Sequence, residues 1–231
     1  MLFVKRNPPE WELLLADQAK PRTGLHVTDC LGCPRRRRLV EEGAPVDLAR
    51  LEARLTGTIL HRALAEAKPE TAEVPVSGVL FGLQIRGNID RIEDAEQGSV
   101  TVDYKTGEGK GKDRRLPEAP YAEEVWQQEG YRFIRLKMGF ATVGWRIYYL
   151  WDKVWYVYEH IGPIWNEAKL AEFRPHGGAF TTAEIAGQVV SKLPAASLPL
   201  VGATQKIGAG TSCDYCEVAL PCGQIGAEVD L

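Results

Sequence analysis

The chain has 231 residues, 45% hydrophobic and 26% charged, with a formal net charge of −3. That is room for one packed domain with appended elements, in a composition ordinary for a globular protein. It excludes a globally basic nucleic-acid binder. No apolar run approaches the roughly 20 residues that cross a bilayer, and the polar start Met1–Pro9 is unlike a signal peptide, so a cytoplasmic location is the default expectation.

Taken in chain order, Trp11–Gln18 is a short helix candidate after Pro8-Pro9, and residues 21–34 read as irregular, with Gly24, Gly32 and Pro34. Four consecutive arginines follow, Arg35, Arg36, Arg37 and Arg38. From about Asp47 to Ala67, Leu48, Leu51, Leu55 and Ile59 recur at helical spacing, and Gly57 and His61, four apart, share another face. Pro69 and Pro75 end that region. Strand-like runs are expected at Glu73–Val76, at Val79–Ile92 with a turn near Gly87, and at Ser99–Tyr104. Gly107–Pro120 is a polar loop carrying Lys110, Lys112, Arg114 and Arg115, opposed by Glu108 and Asp113. A helix is expected over Tyr121–Met138 with Gly139 as its stop, then strands at Thr142–Leu150 and Val154–His160, then helices at Asn166–Phe173 and Thr181–Leu193. Helix, three strands, helix and two strands describe an α/β domain with one mixed central β-sheet flanked by helices.

The stretch Val102-Asp103-Tyr104-Lys105-Thr106-Gly107 concentrates the chemistry. Asp103 and Lys105 share one face of a strand while Tyr104 points away. Asp90, in Gly87-x-x-Asp90, comes from the neighbouring strand. Two carboxylates brought together repel unless a cation neutralises them, and a hard divalent ion does so while polarising a phosphoryl group. Asp90, Asp103 and the backbone carbonyl of Tyr104 are therefore candidate ligands for Mg²⁺ or Mn²⁺, and His61 is a further ligand that suits Mn²⁺ somewhat better. Lys105 is a compact cation able to orient the attacking water. Gln127 and Tyr131, four apart, lie on one face of the following helix. Trp145, Tyr148, Tyr149, Trp151, Trp155, Tyr156 and Tyr158 read chiefly as sheet core and rim, with single-strand stacking as the lesser reading.

The five cysteines sit near the two ends: Cys30, Cys33, Cys213, Cys216 and Cys222. Such clustering in a reducing compartment favours metal over disulfides. Cys213-x2-Cys216-x5-Cys222 supplies three thiolates, and the fourth comes from Cys30 or Cys33; four thiolates suit Zn²⁺ or an iron–sulfur cluster.

Together, Gly57-x3-His61, Glu73-Val74-Pro75, Gly87-x2-Asp90, Asp103-Tyr104-Lys105-Thr106-Gly107 and Gln127-x3-Tyr131 resemble the RecB-like branch of the PD-(D/E)XK nucleases. Cys33-Pro34-Arg35 with the distant cysteine triplet resembles its iron–sulfur group, which includes AddB and the CRISPR-associated Cas four-type exonucleases. The resemblance implies a restriction-endonuclease-like core over 34–193, with arms 1–33 and 194–231 joined by a 4Fe-4S cluster on Cys33, Cys213, Cys216 and Cys222. It implies a metal-dependent DNA exonuclease acting mainly on single-stranded DNA, in recombination, repair or CRISPR adaptation, with protein partners in such a complex and no membrane. Asp90, Asp103, Lys105, Gln127 and Tyr131 would be catalytic, and Arg35 to Arg38 with Lys110, Lys112, Arg114 and Arg115 would bind the DNA backbone. The alternatives are a DNA-binding or assembly subunit with a vestigial site, and a zinc-stabilised nuclease acting on flaps or RNA.

Overall fold

The structure, a computed structural model, describes residues 23–106, 116, 118–151, 153–199, 216, 218 and 222, and within 48–56 it describes the backbone only. The helix expected over Trp11–Gln18 lies outside the described residues. Six strands form one mixed sheet: β1 Leu25–His26, β2 Ala72–Leu80, β3 Leu83–Ala95, β4 Gly98–Thr106, β5 Gly144–Trp151 and β6 Val154–Ile161. Helices α1 Pro34–Glu41, α2 Leu48–Ala67, α3 Ala122–Lys137, α4 Glu167–Glu172 and α5 Thr182–Val190 flank it.

The turn expected near Gly87 lies instead at Phe81-Gly82, where both residues have positive φ and close a two-residue β2–β3 hairpin. Gly87 is mid-strand. A Cβ there would meet the Tyr131 ring of α3 at 2.5 Å, so glycine serves close approach, not a turn. The irregular reading of 21–34 misses β1, which pairs in parallel with Ile85 and Arg86 of β3, and a short 3-10 turn over Val27–Leu31. Leu25, Val27 and Cys30 are buried in the main core with Val76, Leu80, Ile85, Ile89, Trp126 and Ile134.

The order along the sheet is β1-β3-β4-β5-β6, with β2 also on β3. Strands β4 and β5 run parallel, which requires a crossover, and α3 supplies it. Residue alternation then sorts the chemistry. Val100, Val102 and Tyr104 face α2 and pack against its Leu64, while Thr101 and Asp103, on the opposite side of the strand, are buried beneath α3.

One buried ion pair ties α3 to the sheet's far end. Glu129 accepts from Arg132 Nη1 at 2.6 Å, Trp145 Nε1 at 3.0 Å and the Trp165 amide at 3.0 Å. Arg132 Nη2 donates to the carbonyls of Gly162 at 2.6 Å and Thr142 at 3.2 Å. Both side chains are fully buried and multiply bonded, which a buried charge pair requires.

Candidate active site

The site forms where the sheet comes apart. On one edge of β3, the ladder with β4 runs from Ala95–Gly98 to Arg91–Val102, and β1 takes Ile85 and Arg86. Among the described residues, 87–90 have no strand partner on that edge. Asp90 fills the opening: its Oδ2 accepts from the Tyr104 amide at 2.8 Å, a bond the ladder would otherwise make. The side-chain phase of β3 also slips here. Ile89 lies in the core under α3, yet Arg91, two residues on, sends its guanidinium to the Leu64 carbonyl of α2 at 2.7 Å. On the other edge, Glu73 falls opposite Asp90, between the pairs Ala72–Arg91 and Val74–Ile89. Its φ of 49° is rare for a non-glycine residue, and such local distortion re-aims side chains at functional sites.

These features bring His61, Glu73, Asp90 and the Tyr104 carbonyl together. His61, on α2, places Nε2 2.6 Å from the Tyr104 carbonyl and Nδ1 3.4 Å from Asp90 Oδ1. One ligand atom each from His61, Glu73 and Asp90 lies within 4.8 Å of the others. Gly57, one turn before His61, lets α2 approach the end of β4: a Cβ there would meet Thr106 Oγ1 at 3.2 Å. Asp103 and Lys105 share a face, with Oδ2 and Nζ 2.7 Å apart, and Nζ reaches Gln127 Oε1 at 3.4 Å. Asp103 Oδ2 is buried, and the Lys105 ammonium beside it is its charge partner.

The electrostatics agree. Burial pushes Asp103 up; Lys105 pulls it down, Asp90 pushes it up again, and it rests at about 7. Burial also works to raise Asp90, but the His61 hydrogen bond and charge, the Tyr104 amide and Lys105 outweigh it and hold it below its ordinary value. His61 is opposed by burial and lifted further by Asp90, ending above its ordinary value. Burial, then Asp90, lifts Glu73. Lys105 stays charged: burial opposes it, but Asp103, Glu124 and Asp90 overcome that.

Other expected residues sit differently. Tyr131 is in the core against Gly87, one turn beyond Gln127, rather than on the open side of the site. Arg35 donates to the Leu198 carbonyl at 2.9 and 2.7 Å, Arg37 is held by Asp29 and Glu41, and Arg38 donates to the Ser191 carbonyl. These three guanidiniums brace the fold around α1. Lys110, Lys112, Arg114 and Arg115 lie outside the described residues, as does Cys213. Cys33 is the N-cap residue of α1, and the Cys222 thiol is raised by burial against the lowering pull of Arg35. Cys30 is buried on the core side, its Sγ 3.9 Å from the His26 carbonyl. Glu73, named by sequence only within a strand motif, and Glu124, which accepts from the Tyr149 hydroxyl beside Lys105, are the residues the sequence did not single out. The pairing register alone sets Glu73 opposite Asp90.

Residues 33–223 match the PD-(D/E)XK nuclease superfamily. The chain belongs to that superfamily. Membership implies a nuclease, a phosphodiester hydrolase that uses a divalent metal ion. Among solved structures, this PD-(D/E)XK chain is similar to the crystal structure of SSO0001, at 18% identity, a TM-score of 0.59, and coverage of 92% of this chain and 95% of that one. That likeness speaks to fold: a six-stranded mixed sheet flanked by helices, consistent with the restriction-endonuclease-like core. No curated protein matches the sequence. Among the described residues, no helix is long and apolar enough to cross a membrane.

Proposed function

We propose that this chain is a metal-dependent deoxyribonuclease, an exonuclease acting mainly on single-stranded DNA. The observation that carries the reading is that Asp90 and Asp103 act on each other's charge where the β3–β4 ladder opens, with Lys105 Nζ 2.7 Å from Asp103. A binding module has no need of paired, buried like charges.

The donor set fits Mg²⁺ or Mn²⁺: carboxylates of Asp90 and Glu73, one imidazole from His61 and the adjoining Tyr104 carbonyl; Asp103, paired with Lys105 outside that group, is assigned as a further carboxylate ligand. A divalent ion held there would neutralise the carboxylates, polarise the scissile phosphate and lower the pKa of water. Lys105, aimed by Asp103 and Gln127, donates a hydrogen bond to the attacking water or to a phosphate oxygen. Tyr131 acts through packing, keeping α3 and hence Gln127 seated on β3. Lys110, Lys112, Arg114 and Arg115 are assigned to phosphate contacts, so affinity falls with salt. Cys33, Cys213, Cys216 and Cys222 are assigned to a 4Fe-4S cluster that staples the two ends of the chain; the burial of Cys30 within the main core supports leaving it out of that ligand set. The setting is a cytoplasmic recombination, repair or CRISPR adaptation complex.

The test is degradation of end-labelled single strands, duplex and RNA with Mn²⁺, comparing wild type with Asp103→Asn. Wild type should shorten the DNA single strand preferentially, and the variant should lose on the order of 10³-fold in rate, since several kcal/mol of charge stabilisation go with the ligand. Equal rates for a folded, metal-bound variant would overturn the assignment. Anaerobically purified protein should be brown with about four irons per chain; colourless protein with stoichiometric zinc would replace the cluster assignment.

A further inference from the structure

The α2 side of the sheet is covered over β2, β3 and β4, where α2 packs. Beyond Tyr104, the same face continues onto β5 and β6 through the cross-strand rows Tyr104–Tyr148–Val157 and Thr106–Leu150–Trp155. Trp155 is 41% exposed and Val157 53% exposed there, on the edge strand. An open indole on a sheet edge invites unwanted pairing, so its presence calls for a reason.

Two tyrosine rings lie between the candidate metal ligand His61 and that indole. His61 meets the Tyr104 ring edge-on at 6.2 Å between centroids, and Tyr104 meets Trp155 edge-on at 5.8 Å. Tyr148 stacks on Tyr104 at 5.5 Å and meets Trp155 nearly perpendicular at 6.4 Å. Arg91 lies over the Tyr104 ring, and Tyr104 itself is buried. Of this group, Trp155 is the ring open to solvent, and two edge-to-face contacts hold its orientation. The nearby Arg146 is engaged by Glu93 at 3.0 Å and Glu159 at 2.7 Å, so this face offers π-surface rather than free positive charge.

We propose that Trp155, backed by Tyr148, is a stacking platform for an unpaired nucleobase of the strand whose phosphate lies beside His61 and Asp90. The proposal rests on the nuclease reading and deepens it. A duplex keeps its base faces stacked on one another, whereas a single strand can lay one on the indole, whatever the base. Trp155 thus selects single-stranded nucleic acid without reading sequence.

The experiment measures binding of a fluorescein-labelled oligothymidylate to the full chain in EDTA, by anisotropy, over a range of salt. Trp155→Leu, which keeps an apolar side chain, should weaken the single strand about tenfold, the loss of one base stack, with Trp155→Phe near wild type. The slope of log affinity against log salt should not change, because no phosphate contact is removed. Wild-type affinity in Trp155→Leu overturns the proposal. So does a changed self-association with unchanged DNA binding, which would make the face a contact between copies. Photo-crosslinking of the unsubstituted protein to a strand carrying 5-iodouracil gives a second readout: adducts are expected on the peptide that holds Trp155 or Tyr148, and adducts confined to other segments overturn it. Hydrolysis of bis(4-nitrophenyl) phosphate by the wild-type chain with Mn²⁺ reports on the nuclease reading alone, since that diester carries no base.

Discussion

Replacing Gly87 by alanine tests whether close packing of α3 on β3 holds the two aspartates in place. An added Cβ would stand 2.5 Å from Tyr131 Cε1 and 3.3 Å from both Cζ and the hydroxyl oxygen, against the 3.4 Å at which ordinary contact begins. Tyr131 is 5% exposed and enclosed by the main core, so the ring has little room to swing. Overpacking of this kind costs about 1–3 kcal/mol. Alanine also restricts the unfolded chain, which returns about 0.5–1 kcal/mol. The net loss is about 0–2.5 kcal/mol, centred on about 1 kcal/mol, read as a lower midpoint in urea at unchanged slope. Activity should fall further than stability, because Asp90 lies three residues along the displaced strand and a shift near 1 Å can cost roughly 10²-fold. Tyr131→Leu in the same chain makes room, so the double variant should be more stable than the sum of the two single losses by about 1 kcal/mol. If Gly87→Ala matches wild type in both stability and rate, the packing argument is wrong.

Three further outcomes follow from the charges. In the metal-free protein Asp103, lifted to about 7 by burial, keeps a proton that the unfolded chain has already lost, so its contribution to stability falls as pH rises from about 4 towards 7; the difference between wild type and Asp103→Asn in EDTA should show that slope, and a rising difference would refute it. Mn²⁺ must displace protons from Asp103 and from His61, whose charge is also favoured, so calorimetric titrations below pH 7 in two buffers should reveal proton release and an affinity that climbs with pH; binding without proton release would count against these ligands. Arg132→Met leaves Glu129 buried without its cation and should cost about 3–5 kcal/mol; a loss below about 1 kcal/mol would mean that the pair is not the tie between α3 and the sheet.

Helices over 48–67 and 122–137 and five of the six strands were legible because hydrophobic periodicity and glycine stops are local signals. The two-residue strand Leu25–His26 was not, since nothing but its pairing with β3 makes it a strand. Gly87 was misread as a turn for a related reason: a glycine serving close approach looks the same in sequence as one serving a bend, and only the ring of Tyr131 tells them apart. The four-arginine run read as a basic patch, but its neighbours in space turn Arg35, Arg37 and Arg38 inward.

For the candidate site, sequence alone determined that Asp103 and Lys105 share a face, because alternation along a strand is a property of the backbone. It also determined which side chains are able to hold a hard cation, because that is a property of the atoms. Tertiary structure decided the rest. Where the β3–β4 ladder opens, how Asp90 takes the Tyr104 amide, and that Glu73 lies opposite Asp90 all depend on strand register. Register is a relation between segments far apart in the chain, chosen by how the whole core packs, and no local pattern of residues carries it.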